Sequence, residues 1–185
     1  EGRARLAAAV AAYGPGVPVG DNPAKQVAGH LDGKLPLIWG AQMTAPIAYR
    51  WKCQINENAN LPAFDAAFPE HNHNEIVGME GFPGLGVRPH VVILRDPRQH
   101  RQIERRFGVA AGLLAPYVDG ITQVTADGRT DLARLLDLML LGDYASMYLA
   151  MLRHVDPGPI ELIGRLKDGL ANTGYGRSPD PQAAM

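Results

Sequence analysis

The 185-residue sequence has one cysteine, Cys53, so no disulfide can form within the chain. That usage fits a reducing cytoplasm, which is the location expected here. Cys53 reads as a small core residue, because no base is signalled beside it to make a nucleophile. Net charge is nearly absent too: 18 Lys and Arg face 19 Asp and Glu, for a balance of −1. Such a surface sets up no long-range field for nucleic acid or an anionic membrane, so neither partner is expected. A negatively charged ligand would need a local site. No apolar run approaches the roughly 20 residues of a membrane span. The opening Glu1-Gly2-Arg3-Ala4-Arg5 has no initiator Met and no apolar stretch behind it, so no signal peptide is expected. Residues 1–20 read as a helix or linker that continues from an earlier segment.

What is present suits one globular domain: 46% of residues are apolar and 20% charged. Residues 3–13, rich in Ala and Arg, suit a helix that Gly14-Pro15-Gly16 stops. Asp21-Asn22-Pro23 is a capped helix start, with the helix running to about Leu31. Leu35–Gly40 and His90–Asp96 are apolar runs that predict buried strands, and Ile121–Val124 predicts a third. Helices are predicted over 45–60 and 98–107, and over 160–170 after Asp156-Pro157-Gly158-Pro159. Leu113–Tyr117 reads as the tail of another helix. Gly81, Gly84 and Gly86, with Pro83 and Pro89, predict a flexible loop. The strongest pattern is a long helix over 130–153, with Leu132, Leu135, Leu136, Met139, Leu140, Tyr144, Met147, Leu149 and Met151 at helical spacing. It is expected to be buried on both sides. Residues 172–185 read as a disordered tail. Short strands alternating with helices predict an α/β fold with a mostly parallel sheet, whose ligands sit beyond the strands' C-terminal ends.

His71-Asn72-His73-Asn74-Glu75 sets five hydrogen-bonding side chains in a row between Phe68 and Ile76-Val77. Three readings fit: a solvated loop, a metal site built on His-x-His with Glu70 or Glu75, or a carboxylate at the edge of an apolar core, raised in pKa to act as a base.

Tyr49-Arg50-Trp51-Lys52-Cys53-Gln54-Ile55-Asn56-Glu57-Asn58-Ala59 and Phe68-Pro69-Glu70-His71-Asn72-His73-Asn74-Glu75-Ile76-Val77-Gly78 resemble the two signature blocks of the bifunctional phosphoglucose/phosphomannose isomerases. Asn22-Pro23-Ala24-Lys25, Leu94-Arg95-Asp96 with His100, Gly142–Ala150 and Val155-Asp156-Pro157 also match, so the resemblance runs from about Asn22 to Leu170. It implies a SIS-type layered sandwich over 21–171, corresponding to the C-terminal half of such an enzyme. It also implies interconversion of glucose or mannose 6-phosphate with fructose 6-phosphate, in glycolysis and gluconeogenesis, through a cis-enediol. No metal or cofactor would take part, and the enzyme would be a homodimer. Glu75 would be the base, His100 would assist ring opening across the dimer, and Lys167 would contact substrate hydroxyls. Arg50, Gln54, His73 and Asn74 would line the substrate site. His90 is the alternative to His100, and Glu57 the rival to Glu75.

Two features depart from the family pattern. The Ser-x-Ser-Gly-x-Thr phosphate loop, the glycine-rich first strand and the Pro-Arg-x-Ala segment are missing, so the binding half is expected upstream of Glu1, and the 185 residues alone are expected to turn over little substrate. The family's Thr after Asp-Pro, linked to mannose 6-phosphate, is Gly158 here. A non-catalytic module that binds sugar phosphate or dimerises is the alternative function.

Overall fold

A computed structural model describes residues 1–173. The tail expected over 172–185 lies, beyond Thr173, outside the described residues. Four parallel strands form the sheet: β1 (Leu35–Ala41), β2 (Phe64–Phe68), β3 (Pro89–Arg95) and β4 (Gly120–Thr125), in the order β2-β1-β3-β4. Alternate side chains of the sheet face two cores. Ile38, Val92, Leu94 and Val124 face helices α1 (Gly2–Tyr13), α2 (Pro23–Leu31), α3 (Ala45–Ala59) and α6 (Asp131–Leu152). Leu37, Trp39, Val91 and Ile93 face α5 (Arg101–Leu114) and the segment over 70–86. That segment holds the one-turn helix α4 (Glu75–Gly78), and α7 (Glu161–Asn172) closes the described chain. The layered α/β architecture follows the expectation, and the sheet is wholly parallel.

Asn22 starts α2 as expected. Its side-chain oxygen accepts the Lys25 backbone N–H at 3.1 Å, while its amide donates to the carbonyls of Tyr13 and Gly14. One buried side chain thus caps α2 and holds the end of α1. At the other end of β1, the Thr44 hydroxyl bonds Ala41 and reaches the Leu94 carbonyl at 3.0 Å, tying β1 to β3. Gly40 lets this turn close, since a Cβ there would sit 2.5 Å from the Thr44 carbonyl oxygen.

Several expectations are corrected. Phe64–Phe68 is an edge strand that the sequence reading passed over. Helix α5 starts at Arg101 and runs through Gly108 and Gly112 to Leu114, because Ile103, Phe107, Ala110 and Leu114 make one buried stripe. Residues 79–85 form two short 3-10 turns where a flexible loop was expected. Cys53 is only half-buried. Helix α6 is not buried on both sides: Leu132, Met147 and Met151 are exposed, whereas Arg134 and Asp137 are buried. Asp137 accepts from Tyr13 at 2.7 Å and from Arg5 at 2.6 Å, and Arg134 Nε lies 2.8 Å from Asp96. α6 is also long and apolar enough to cross a membrane by length and composition, with a mean hydropathy of 1.4 in its most apolar window, contrary to the expectation of no such run. Half of that window is buried in the fold, as in a core helix.

Candidate active site

The strand order reverses at β1 and β3, because the chain passes from β1 outward to β2 and then returns to β3 on the other side. In parallel sheets such a switch point opens a crevice beyond the strands' C-terminal ends. His100 stands there. It caps α5, with Nδ1 accepting the Gln102 N–H at 3.2 Å, and its own backbone N–H donates to Gln42 Oε1 at 2.9 Å. Gln42 follows β1 directly and has φ +49°, a left-handed conformation that β1's abrupt exit imposes. Sequence reasoning missed Gln42; its only signal was its place straight after the first strand. His90 lies at the opposite end, where it pairs with Gly120 near the strand starts. It is buried, with Nε2 2.8 Å from the Thr122 hydroxyl, and burial pushes its pKa down to about 4.

Glu75 comes from the segment after β2. Asn74 Oδ1 accepts the Glu75 N–H at 2.6 Å, so Asn74 fixes the turn that presents the carboxylate. Glu75 lines a cleft of about 350 Å³ whose walls include Leu37, Trp39, Phe64 and Met79. Glu75 is exposed at the cleft's edge, yet the desolvation it has there raises its pKa, and the nearby Asp65 and Glu70 carboxylates raise it further. His73 is exposed beside it. His71 turns inward: it is 1% exposed, stacked on Phe68 with centroids 4.8 Å apart and set against Trp39. Neither ring nitrogen has a hydrogen-bond partner, and burial pushes its pKa to about 4, so it is neutral at pH 7. The polar block is therefore split, with one imidazole in the core and the glutamate at the cleft. No group of three His, Cys, Asp or Glu among the described residues converges as a metal site would require.

The other expected site residues lie apart. Arg50 and Gln54 both bond Asp143, at 3.0 and 2.9 Å, bridging α3 to α6. The rest of the α3 block is similarly structural: Trp51 donates to the Leu138 carbonyl, and Asn58 to Ser146. Glu57 lines a separate groove between α3 and α7. Lys167 is exposed on α7. Among the described residues no hydrogen bond or ion pair joins Glu75, His100 and Lys167, and the cleft at Glu75 includes neither of the others in its lining. This chain presents the three groups on separate elements.

Comparison with known proteins agrees with this architecture. Residues 20–170 match the family model of the bacterial phospho-glucose isomerase C-terminal SIS domain. A bifunctional phosphoglucose/phosphomannose isomerase from Caldicellulosiruptor bescii is 41% identical over 160 residues, covering 86% of this chain and 47% of the relative. One from Aquifex aeolicus is 34% identical, covering 79% and 45%. The chain thus spans about half the length of the curated relatives it matches. A solved glucose-6-phosphate isomerase-like protein from Thermus thermophilus superposes with a TM-score of 0.72 at 28% identity, covering 89% of this chain and 53% of the other. A match to the family model over residues 20–170, with 41% identity to a relative across 86% of the chain, places this chain in the bacterial phosphoglucose isomerase C-terminal SIS domain family.

Proposed function

We propose that this chain is the C-terminal half of an aldose–ketose isomerase for hexose 6-phosphates, with Glu75 as the base. Once the sugar ring is open, the Glu75 carboxylate takes the proton from C2 of the aldose. The C–H electron pair forms the C1=C2 bond of a cis-enediol, and O1 gains a proton. Return of the proton to C1, with loss of the O2 proton, gives the ketose. Atoms and charge balance without a redox partner. His100 assists ring opening, and Lys167 donates to substrate hydroxyls once a second body closes the site. His73 also faces the substrate, whereas Asn74 acts by holding the Glu75 turn. A homodimer in the cytoplasm belongs to the same reading.

The observation that carries the proposal is the Glu75 carboxylate itself, raised in pKa at the mouth of an apolar-walled cleft. A base of this kind is matched to a carbon acid whose anion spreads over an enediol, and such a group contributes about 10²–10⁴-fold in rate. The separation of Glu75, His100 and Lys167 supports an incomplete site, so the 185-residue chain alone should have little activity. The test joins this chain to the N-terminal half of the Caldicellulosiruptor bescii relative and follows conversion of glucose 6-phosphate to fructose 6-phosphate. Glu75→Gln should lower kcat at least about 100-fold while substrate still binds. Unchanged turnover in Glu75→Gln would remove Glu75 as the base, and a joined protein that binds sugar phosphate without turning it over would favour a non-catalytic module.

A further inference from the structure

Every residue of α7 is exposed, yet the helix is strongly amphipathic. Leu162, Ile163, Leu166 and Leu170 are 41 to 76% exposed and fall on one side of the helix, with Glu161, Arg165 and Asp168 on the other. A 12-residue helix is marginal in water without tertiary packing. Its connection to α6 is a short turn in which Asp156 Oδ1 accepts the Gly158 N–H at 2.9 Å between Pro157 and Pro159. Between α7 and the C-terminal half of α3 a groove of about 860 Å³ stays open, lined by Cys53, Asn56 and Asn60 and, from the stripe, by Leu162 and Ile163, while Leu166 and Leu170 lie outside it.

We infer that α7 is a docking arm whose apolar stripe packs against the N-terminal half that the relatives carry, within one polypeptide. The relatives run to about twice the length of this chain, and the matched family model is a C-terminal domain, so a second body of similar size accompanies this fold in them. α7 is the last element of the matched range, 20–170, so the family pattern retains an arm that this body leaves unpacked. A second copy of this chain fits less well. A helix of this length is about 18 Å long, and four side chains along it cover far less than the roughly 800 Å² per partner of a standard stable interface. Within one polypeptide the same stripe suffices, because linkage supplies a high effective concentration. Lys167 lies four residues beyond Ile163, at the margin of the stripe, so docking moves its ammonium from open solvent to the edge of the interface. The inference rests on family membership and stands whether or not the proposed catalytic roles do.

Amide hydrogen exchange tests it, in the 185-residue chain and in that chain joined to the N-terminal half of the Caldicellulosiruptor bescii relative. In the chain alone, α7 amides should exchange near the rate of an unstructured peptide at any concentration. In the joined protein they should slow by roughly 100-fold or more. Leu166→Asp and Leu170→Asp should each abolish that protection, and Arg165→Glu, on the opposite side, should leave it intact. Slow exchange of β3 amides in every variant confirms that the core is folded. Protection in the chain alone that rises with concentration would assign the stripe to a second copy and overturn the inference. So would an unprotected α7 in the joined protein, or protection that survives both aspartate variants.

Discussion

The indole of Trp51 occupies the space where Gly142 would otherwise carry a side chain: a Cβ at 142 would lie 2.2 Å from Trp51 Nε1. The same nitrogen donates to the Leu138 carbonyl at 2.8 Å, so α3 and α6 meet backbone to ring. Gly142→Ala must displace a fully buried indole. The gain in helix propensity, about 1 kcal/mol, is smaller than the overpacking cost plus the lost hydrogen bond. We expect a net loss of about 1–3 kcal/mol, read as a lower midpoint in urea unfolding with the slope unchanged.

Asp96 and Arg134 are both buried, with 2.8 Å between carboxylate and guanidinium, and they join the end of β3 to the start of α6. Removing Arg134 leaves Asp96 as a buried charge without its cation, whereas removing Asp96 leaves Arg134 still paired with Asp131 at 2.6 Å. Arg134→Ala should cost about 3–5 kcal/mol in unfolding free energy, Asp96→Ala should cost less because Asp131 remains beside Arg134, and the double variant should cost less than the two added together.

His71 makes stability depend on acid. Its folded pKa, about 4, is below the ordinary value of 6.5, so the unfolded chain binds the extra proton first. Its titration costs nothing above pH 6.5, and the stability that is full there is lost as the pH falls from 6.5 through 4, by about 3 kcal/mol in all. His90 acts over the same window with the same sign. His71→Leu should flatten the fall in melting temperature between pH 6.5 and 4. At pH 7 it should not destabilise, since it removes two buried nitrogens that lack partners.

Much of the fold is written locally. Asn22-Pro23 marks α2, and the apolar runs at Leu35 and His90 mark β1 and β3. Edge strand β2 escaped because Phe64-Asp65-Ala66-Ala67-Phe68 is rich in Ala and buries only Ala66 and Phe68, against β1 alone. The inward turn of Arg134 and Asp137 is also hidden from the sequence, because Asp96, Arg5 and Tyr13 are far away along the chain. The site divides in the same way. The block ending in Glu75 stands out as a run of polar residues, but the inward turn of His71 depends on Trp39 and Phe68. Arg50 and Gln54, expected to line the site, instead bond Asp143 on a helix some ninety residues away.

Glu75 must be ionised to act as a base, and its pKa is above the ordinary 4.5. Activity in the joined protein should therefore fall as the pH drops through that raised value. The acid limb of kcat/KM should have its midpoint above pH 4.5 and disappear from the residual activity of Glu75→Gln.

The most direct measurement follows the transferred hydrogen itself. In the joined protein, glucose 6-phosphate is incubated in heavy water and deuterium at C1 and C2 is read by NMR. A carboxylate that holds the proton and exchanges it with solvent predicts incorporation with Glu75 intact, and a fall of at least about 100-fold in its rate with Glu75→Gln. Incorporation at an undiminished rate in the glutamine variant would contradict the assignment of Glu75 as the base.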